Sequence, residues 1–464
     1  MKHMLHDCGR LLGDRRTRWV LGGLAVSVVG DGAARVAILL RVHAEGDGPS
    51  ALAVVLVLFA LPMILLAGVA GALADRPDPR PLVLGAAALQ LVAAVVLALT
   101  GGLAWTGGAA FVLQTGFALA NSAWMVALPR LVTEEDVGTL VSLHHGLMAL
   151  AAPTGAALGG LLVQQIGTAA PFVLDAASFV VLMGTGLALL PVREPTTPSA
   201  PAGILRTVLP LDGLAALRRH SLLTLLAAAV LPFIIAIESI NAIEVYLVKD
   251  VLGGSSAFFG FSEGMAGAGV AIGALLASTA RTTTARARTV LWALPAMSLL
   301  VVAEGLAPGT SVYLVLVVAV GLLLGGLNAV VMTLVVSETE AGTRGRVVAF
   351  VGGAARSCGM IALAVGGLLG TLLDPRASFV AVGVVGLAIG LVALWAARGR
   401  VPGACPESAT QWPARRRTAA AESPGCPCAP GVRTVALGLP KRFSGWRQMR
   451  ISRRLGGGGE SIDQ

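Results

Sequence analysis

Apolar runs of about twenty residues, each closed by a short polar break, recur from residue 19 to residue 397 of this 464-residue chain. A helix of that length spans the roughly 30 Å of hydrocarbon in a bilayer. Only helices and closed barrels satisfy their own backbone there. Barrel strands are about ten residues of alternating pattern, so these runs read as helices. Twelve are distinguishable, near 19–41, 50–73, 81–99, 103–128, 139–162, 169–190, 221–246, 257–277, 289–306, 312–336, 347–370 and 377–397. The expected fold is an all-α polytopic membrane protein. Charge is scarce enough for this: 13% of residues are charged and mean hydropathy is +0.82, where soluble domains carry about 25% charge.

Basic residues in the connections set the expected orientation. One set of connections holds Lys2, Arg10, Arg15, Arg16 and Arg18, then Arg76 and Arg80, Arg130, Arg193, Arg206, Arg218 and Arg219, Arg281, Arg286 and Arg288, and Arg344 and Arg346. The alternate set holds only Arg41, Lys249 and Arg376. Both termini are therefore expected in the cytoplasm. The implied organisation is a cytoplasmic segment 1–18, a six-helix bundle 19–190, a cytoplasmic linker with an interfacial helix 191–220, a second six-helix bundle 221–397, and a basic tail 398–464 expected to be disordered. From Arg398 onward there are 12 Arg or Lys against 4 acids, so most of the formal charge of +9 belongs to the tail. That places it beside an anionic leaflet and excludes a nucleic-acid-binding core. The first run is too long and too charged for a signal peptide. Cys8, Cys358, Cys405, Cys426 and Cys428 show no zinc spacing and read as unpaired thiols.

Polar groups in apolar places carry most of the functional signal. An unpaired charge at a helix centre costs about 2.5–3.5 kcal/mol on an insertion scale. Asp31 and Arg35, four apart in the first run, share a face and read as a pair turned towards water rather than lipid. Pairing alone would make them an orienting device. In a cavity that opens alternately to each side, Asp31 would instead take up and release a proton, because burial disfavours a charged carboxylate and a nearby guanidinium favours it. In the seventh run Glu238 is a candidate for proton coupling or attraction of a cationic substrate, whereas Glu244 reads as an interfacial, solvated carboxylate. Arg356 has no acid within a helical turn, and the deep acids Asp31 and Glu238 are its expected partners. Asp175 and Glu263 lie nearer helix ends. His144 and His145 are candidate proton relays.

The halves echo one another: "GALAD" at 71–75 against "GALLAS" at 273–278, and "NSAWM" at 121–125 against "NAVVM" at 328–332. Duplicated halves with a site between them are a recurrent transporter design.

"GALADRPDPRPLVL" at 71–84 resembles the signature loop between helices two and three of the major facilitator superfamily. "SVVGDGAARVA", "ALPRLVTEEDVGTL", "FVLDAASF", "YLVKDVLGGSSAFFG" and "TRGRVVAF", in that order, are similar to its macrolide-efflux and siderophore-exporter branch. The resemblance implies two six-helix bundles rocking around a central cavity. It implies that Gln114, Asn121 and Asn328 line that cavity and that Asp175 is a structural residue. The loop residues Gly71, Asp75, Arg76 and Arg80 would act as a gate. Gly155, Gly159 and Gly160 match the helix-five antiporter motif, and with Gly325 and Gly326 they permit close helix approach. The sequence departs from the family at Pro77, Asp78 and Pro79, and at Ala156, where the motif has Pro.

The expected function is a secondary active transporter, a proton-coupled exporter of amphipathic small molecules (drug, antibiotic or siderophore-like) acting as a monomer in the cell membrane. Its partners would be the substrate, protons and membrane lipids. Alternatives are an uptake transporter for a small polar nutrient, which demands more polar cavity groups, and a membrane sensor or scaffold with the tail as output. No cofactor or metal is implied. The sequence contains no P-loop, G-x-S-x-G or H-E-x-x-H pattern, so an enzyme is not expected.

Overall fold

The computed structural model describes residues 9–66, 70, 73, 78, 80–188, 211–277 and 282–398. Twelve helices among them are long and apolar enough to cross a membrane. In chain order they are α1 (Arg15–Glu45), α2 (Gly48–Leu65), α3 (Arg80–Leu99), α4 (Leu103–Ala127), α5 (Val137–Gln165), α6 (Ala170–Ala188), α7 (Ser221–Glu238), α8 (Ser256–Leu276), α9 (Thr283–Gly305), α10 (Thr310–Glu338), α11 (Ala341–Leu372) and α12 (Pro375–Ala397). Local chemistry sets their ends. Asp14 caps α1 by accepting from the Thr17 amide at 2.9 Å and the Thr17 hydroxyl at 2.8 Å, which holds its carboxyl below the usual carboxylate range. Gly46, at φ 77°, closes the same helix in the left-handed region that glycine tolerates.

In the first half α1 packs on α5 and α6, α3 on α4 and α6, and α2 on α4; in the second, α7 packs on α11 and α12, α9 on α10 and α12, and α8 on α10. The halves meet through α5 with α8 and α2 with α11. Contacts that join them lie at the end of the molecule where α1 turns into α2 and α5 into α6. There His43 Nε2 lies 2.8 Å from Asp250 Oδ1, and the Ala257 amide donates to Gln164 Oε1 at 2.9 Å.

Two adjacent glycine pairs make this joinery possible. A methyl group at Gly159 would stand 2.7 Å from Ala33 Cα on α1, and one at Gly160 would stand 2.7 Å from Gly260 Cα on α8. In the second half Gly366 packs on Ser239, just past α7, and Gly367 packs on Ser50 and Ala53 of α2. Each pair thus uses one glycine inside its own bundle and the next across the interface. The two pairs are 207 residues apart, the offset that also separates Asn121 from Asn328 and Asp31 from Glu238. Gly155 packs α5 on Val29 of α1, and Gly325 packs α10 on Val270 of α8.

The three basic residues of the sparsely charged connections are all held. The Arg41 guanidinium donates to Leu97 O at 2.6 Å and Thr100 O at 3.1 Å and lies 4.4 Å from the centre of the Phe172 ring. Arg376 donates to Gly305 O at 3.1 Å, and Lys249 to the Ser256 hydroxyl at 3.3 Å. The two arginines complete the orphan carbonyls at the ends of α3 and α9.

The seventh run departs from its expected extent. After Glu238 the backbone tightens into a 3₁₀ turn (Ser239–Ala242), then forms a helical turn (Glu244–Tyr246) and a π turn (Leu247–Val251). The 3₁₀ turn changes the register that an unbroken helix would give Glu244, which lies inward. It is 9% exposed and accepts a hydrogen bond from the Tyr313 hydroxyl, so it is not the solvated interfacial carboxylate the sequence suggested. Part of the linker forms a short helix (Leu211–Leu217) laid on α11, with Gly213 against Arg346 and Phe350. Gly71, Asp75 and Arg76 lie outside the described residues. Arg80 opens α3, its amide donating to Asp78 Oδ1 at 3.0 Å.

Candidate functional site

Three adjoining chambers lie between and within the bundles. The N-terminal one, about 450 Å³, is lined by Asp31 and Arg35 from α1, Gln90 from α3, Gln114, Asn121 and Trp124 from α4, and His144 and His145 from α5. The C-terminal one, about 470 Å³, is lined by Glu238 from α7, Asn328 from α10 and Arg356 from α11, with Leu, Val, Ile and Phe forming most of the remaining wall. The central one, about 500 Å³, carries Arg35, Glu238, Asn241, Glu244, Glu263 and Glu304. Arg35 belongs to both the N-terminal and central chambers, and Glu238 to both the central and C-terminal ones. The chambers thereby adjoin at these two side chains.

Helical spacing explains why these residues share walls. Asp31 and Arg35 lie one turn apart, and Gln114 and Asn121 two turns apart, so each set projects to one side of its helix. The side that does not meet lipid is the one that can hydrate a charge.

The pairings differ from those the sequence suggested. Arg35 does not pair with Asp31. Its Nη2 lies 3.2 Å from Glu263 Oε2 on α8, in the opposite bundle. Arg35 is more than half exposed and Glu263 largely buried, at 56% and 13%. Arg356 makes no ion pair among the described residues, although it shares a chamber with Glu238. Glu238 is instead met by Asn241 Nδ2 at 2.8 Å.

Asp31 has a second acid near it. Asp175 on α6 is 0% exposed, lies close enough to Asp31 for their charges to interact, and abuts Gly30, where a methyl would stand 2.6 Å from Asp175 Oδ1. Its Oδ1 is 3.4 Å from the Ser178 hydroxyl, and its Oδ2 reaches no partner among the described residues.

Sequence reasoning passed over several lining groups. Glu304 is 1% exposed with its Oε1 unpartnered, and Gln90 Oε1 and Trp124 Nε1 are buried and likewise unpartnered among the described residues. The signal for Glu304 was present, since it is an acid inside the ninth run. Gln90 gave a weaker one, a lone amide in the third.

Such an arrangement can hold an amphipathic molecule against apolar walls while exchanging protons or hydrogen bonds at a few fixed points. It offers no group of three or more His, Cys, Asp or Glu, among the described residues, that could hold a metal ion.

The family described as transmembrane secretion effectors matches residues 16–349. No curated protein matches the sequence. Among solved structures, the nucleoside transporter NupG is similar with a TM-score of 0.65 at 11% identity, covering 82% of this chain and 97% of that one. A bacterial homologue of the human lysosomal transporter Spinster, inward-facing and unoccupied, is similar with a TM-score of 0.63 at 12% identity over 84% and 100% of the two chains. A POT family transporter in complex with a thioalcohol-conjugated peptide gives 0.62 at 14% identity over 82% and 96%. At these identities the likeness concerns the fold. The chain therefore belongs to the transmembrane secretion effector family of the major facilitator superfamily, and is a multi-pass membrane transporter rather than an enzyme.

Proposed function

We propose that this transporter exports amphipathic small molecules, of antibiotic or siderophore-like character, in exchange for protons. The observation that carries the reading is the set of adjoining chambers, in which Asp31, Arg35, Glu238 and Arg356 are set into otherwise largely apolar walls. The basic bias of the connections supports cytoplasmic termini, so the joined end faces outward and the chambers open inward. The sequence resemblance to macrolide and siderophore exporters supports the direction of transport.

In this reading Asp31 is the proton acceptor of the N-terminal bundle. Glu263 engages Arg35, so the guanidinium is drawn off towards the other half and Asp31 is left to exchange its proton with the chamber. Glu238 attracts the cationic end of a substrate or couples a second proton, and Arg356 faces it across the C-terminal chamber. Gln114, Asn121 and Asn328 supply hydrogen bonds that suit several substrates. Gly71, Asp75, Arg76 and Arg80 form the inner gate, and a single chain in the lipid bilayer is the working unit.

Everted vesicles with ethidium as probe test this. Accumulation is expected to follow an interior-acid gradient, to collapse with a protonophore, and to fall at least about tenfold in Asp31→Asn, the equivalent of about 1.4 kcal/mol. Transport indifferent to the protonophore would end the coupling claim. Equal accumulation by wild type, Asp31→Asn and Glu238→Gln would discard the site assignment.

A further inference from the structure

Four carboxylates and one guanidinium line the central chamber: Glu238, Glu244, Glu263 and Glu304 with Arg35. Three of the acids have partners. Asn241 donates to Glu238, Tyr313 to Glu244, and Arg35 to Glu263. Glu304 has none for its Oε1 among the described residues, yet it is 99% buried near the joined end of α9. It lies close enough to Glu244 and to the fully buried Tyr313 for their charges to interact.

An anion that dry, unpaired and beside a second acid is prohibitively costly, and such a group neutralises instead. No ion pair reaches Glu304 among the described residues. Arg35 is engaged by Glu263, and the Arg376 guanidinium on α12 is given to the Gly305 carbonyl at 3.1 Å. The Tyr313 hydroxyl is already donated to Glu244. No group of three or more His, Cys, Asp or Glu that could hold a metal ion is present among the described residues, and a proton is the smallest cation that neutralises a lone carboxylate.

We propose that Glu304, with Glu244 and Tyr313, forms a second proton-binding site, in the C-terminal bundle and separate from Asp31. Only the statement that this proton is transported rests on the exporter reading. When the joined end opens, water delivers a proton and an O–H bond forms at Glu304. While the end is closed the site is dry and Glu304 keeps that bond; it breaks only when water enters from the central chamber, and an O–H bond then forms at Glu244, which borders the same chamber. The proton then leaves along the central chamber past Glu238, the residue shared with the C-terminal chamber, to water at the open end. One O–H bond is made for each broken, and no other reactant is needed.

Infrared difference spectra of the purified protein in nanodiscs, taken across a pH titration, read the proton directly. The carbonyl-stretch band of a protonated carboxylic acid is expected in wild type and Asp31→Asn, absent in Glu304→Gln, shifted in Glu304→Asp, and displaced in its titration by Tyr313→Phe. Ethidium accumulation in everted vesicles is measured on the same variants, with an expected loss of at least tenfold in Glu304→Gln and partial recovery in Glu304→Asp. A band that persists unchanged in Glu304→Gln overturns the site. If that variant does not reconstitute, a band unshifted in Glu304→Asp overturns it equally. A lost band with undiminished gradient-driven accumulation overturns its part in transport while leaving the exporter reading intact. Wild-type accumulation driven by sodium rather than protons overturns the exporter reading while the spectra still decide whether Glu304 binds a proton.

Discussion

The N-terminal bundle encloses Asp31, the sealed Asp175 and a group of amides (Gln90, Gln114 and Asn121), whereas the C-terminal bundle encloses Glu238, Arg356 and a wall of Leu, Val and Phe. Beneath that contrast the backbone is repeated. Gly159 with Gly160 and Gly366 with Gly367 perform the same two packing tasks in the two halves. Arginines close the carbonyl ends of α3 and α9, but Arg41 reaches from α1 and Arg376 from α12. The repeat is kept where clearance is least, because a contact between backbones leaves no room for a side chain of any chemistry. In the chambers it survives at Asp31 with Glu238 and at Asn121 with Asn328, and is lost at Arg35 and Gln90, where Ala242 and Met297 stand 207 residues on. Each half also sets a sealed acid beside another acid, Asp175 beside Asp31 and Glu304 beside Glu244. Among the described residues each has one unpartnered oxygen, Asp175 Oδ2 and Glu304 Oε1, but only Asp175 has a serine hydroxyl near its other oxygen.

The repeat in the backbone can be broken at its tightest points. Gly159→Leu and Gly366→Leu each force a side chain into neighbouring backbone, and each is expected to cost about 3 kcal/mol or more. A thermal ramp of detergent-solubilised protein checks both. One variant tolerated and the other unfolded would show that the two glycine pairs are not equivalent. The arginine caps sharpen the comparison. Arg41 is buried, with two carbonyls and an aromatic face, and Arg41→Ala is expected to cost about 2–3 kcal/mol. Arg376 is only partly buried, with one carbonyl, and Arg376→Ala is expected to cost about 1 kcal/mol in the same assay.

The smallest effect concerns the first helix of each half. Asp14 caps α1, while His220 makes no side-chain cap to α7. Asp14→Ala is expected to fray α1 at a cost of about 0.5–1 kcal/mol, seen as faster amide hydrogen exchange, and His220→Ala to leave α7 unchanged. The Asp14 carboxyl is held below its ordinary range by Thr17. Its contribution is therefore present at neutral pH and lost as pH falls through that lowered value.

Much of this was legible from residue order. A charge or amide inside an apolar run has few places to go other than a wet chamber, and Asp31, Glu238, Gln114, Asn121, Asn328 and Arg356 all line one. Partner choice was not legible. Helical periodicity offered Asp31 to Arg35, yet the ion pair forms with Glu263, 228 residues away. Glu244 was misplaced because a 3₁₀ turn, invisible in the hydropathy pattern, changes the register between Glu238 and Glu244. Glu304 obeyed the same rule as the other deep acids but stood at the edge of its run and was passed over.

Residue order by itself determined the number and length of the helices and the excess of basic residues on alternate connections. These follow from the thickness of a hydrocarbon layer and the cost of moving charge through it. Only the tertiary structure decided which acids meet a guanidinium, which meet a hydroxyl, and which are left dry. A helix dictates neighbours three and four residues away along its own axis. The dielectric and the counterion a carboxylate meets are set by the helices packed against it.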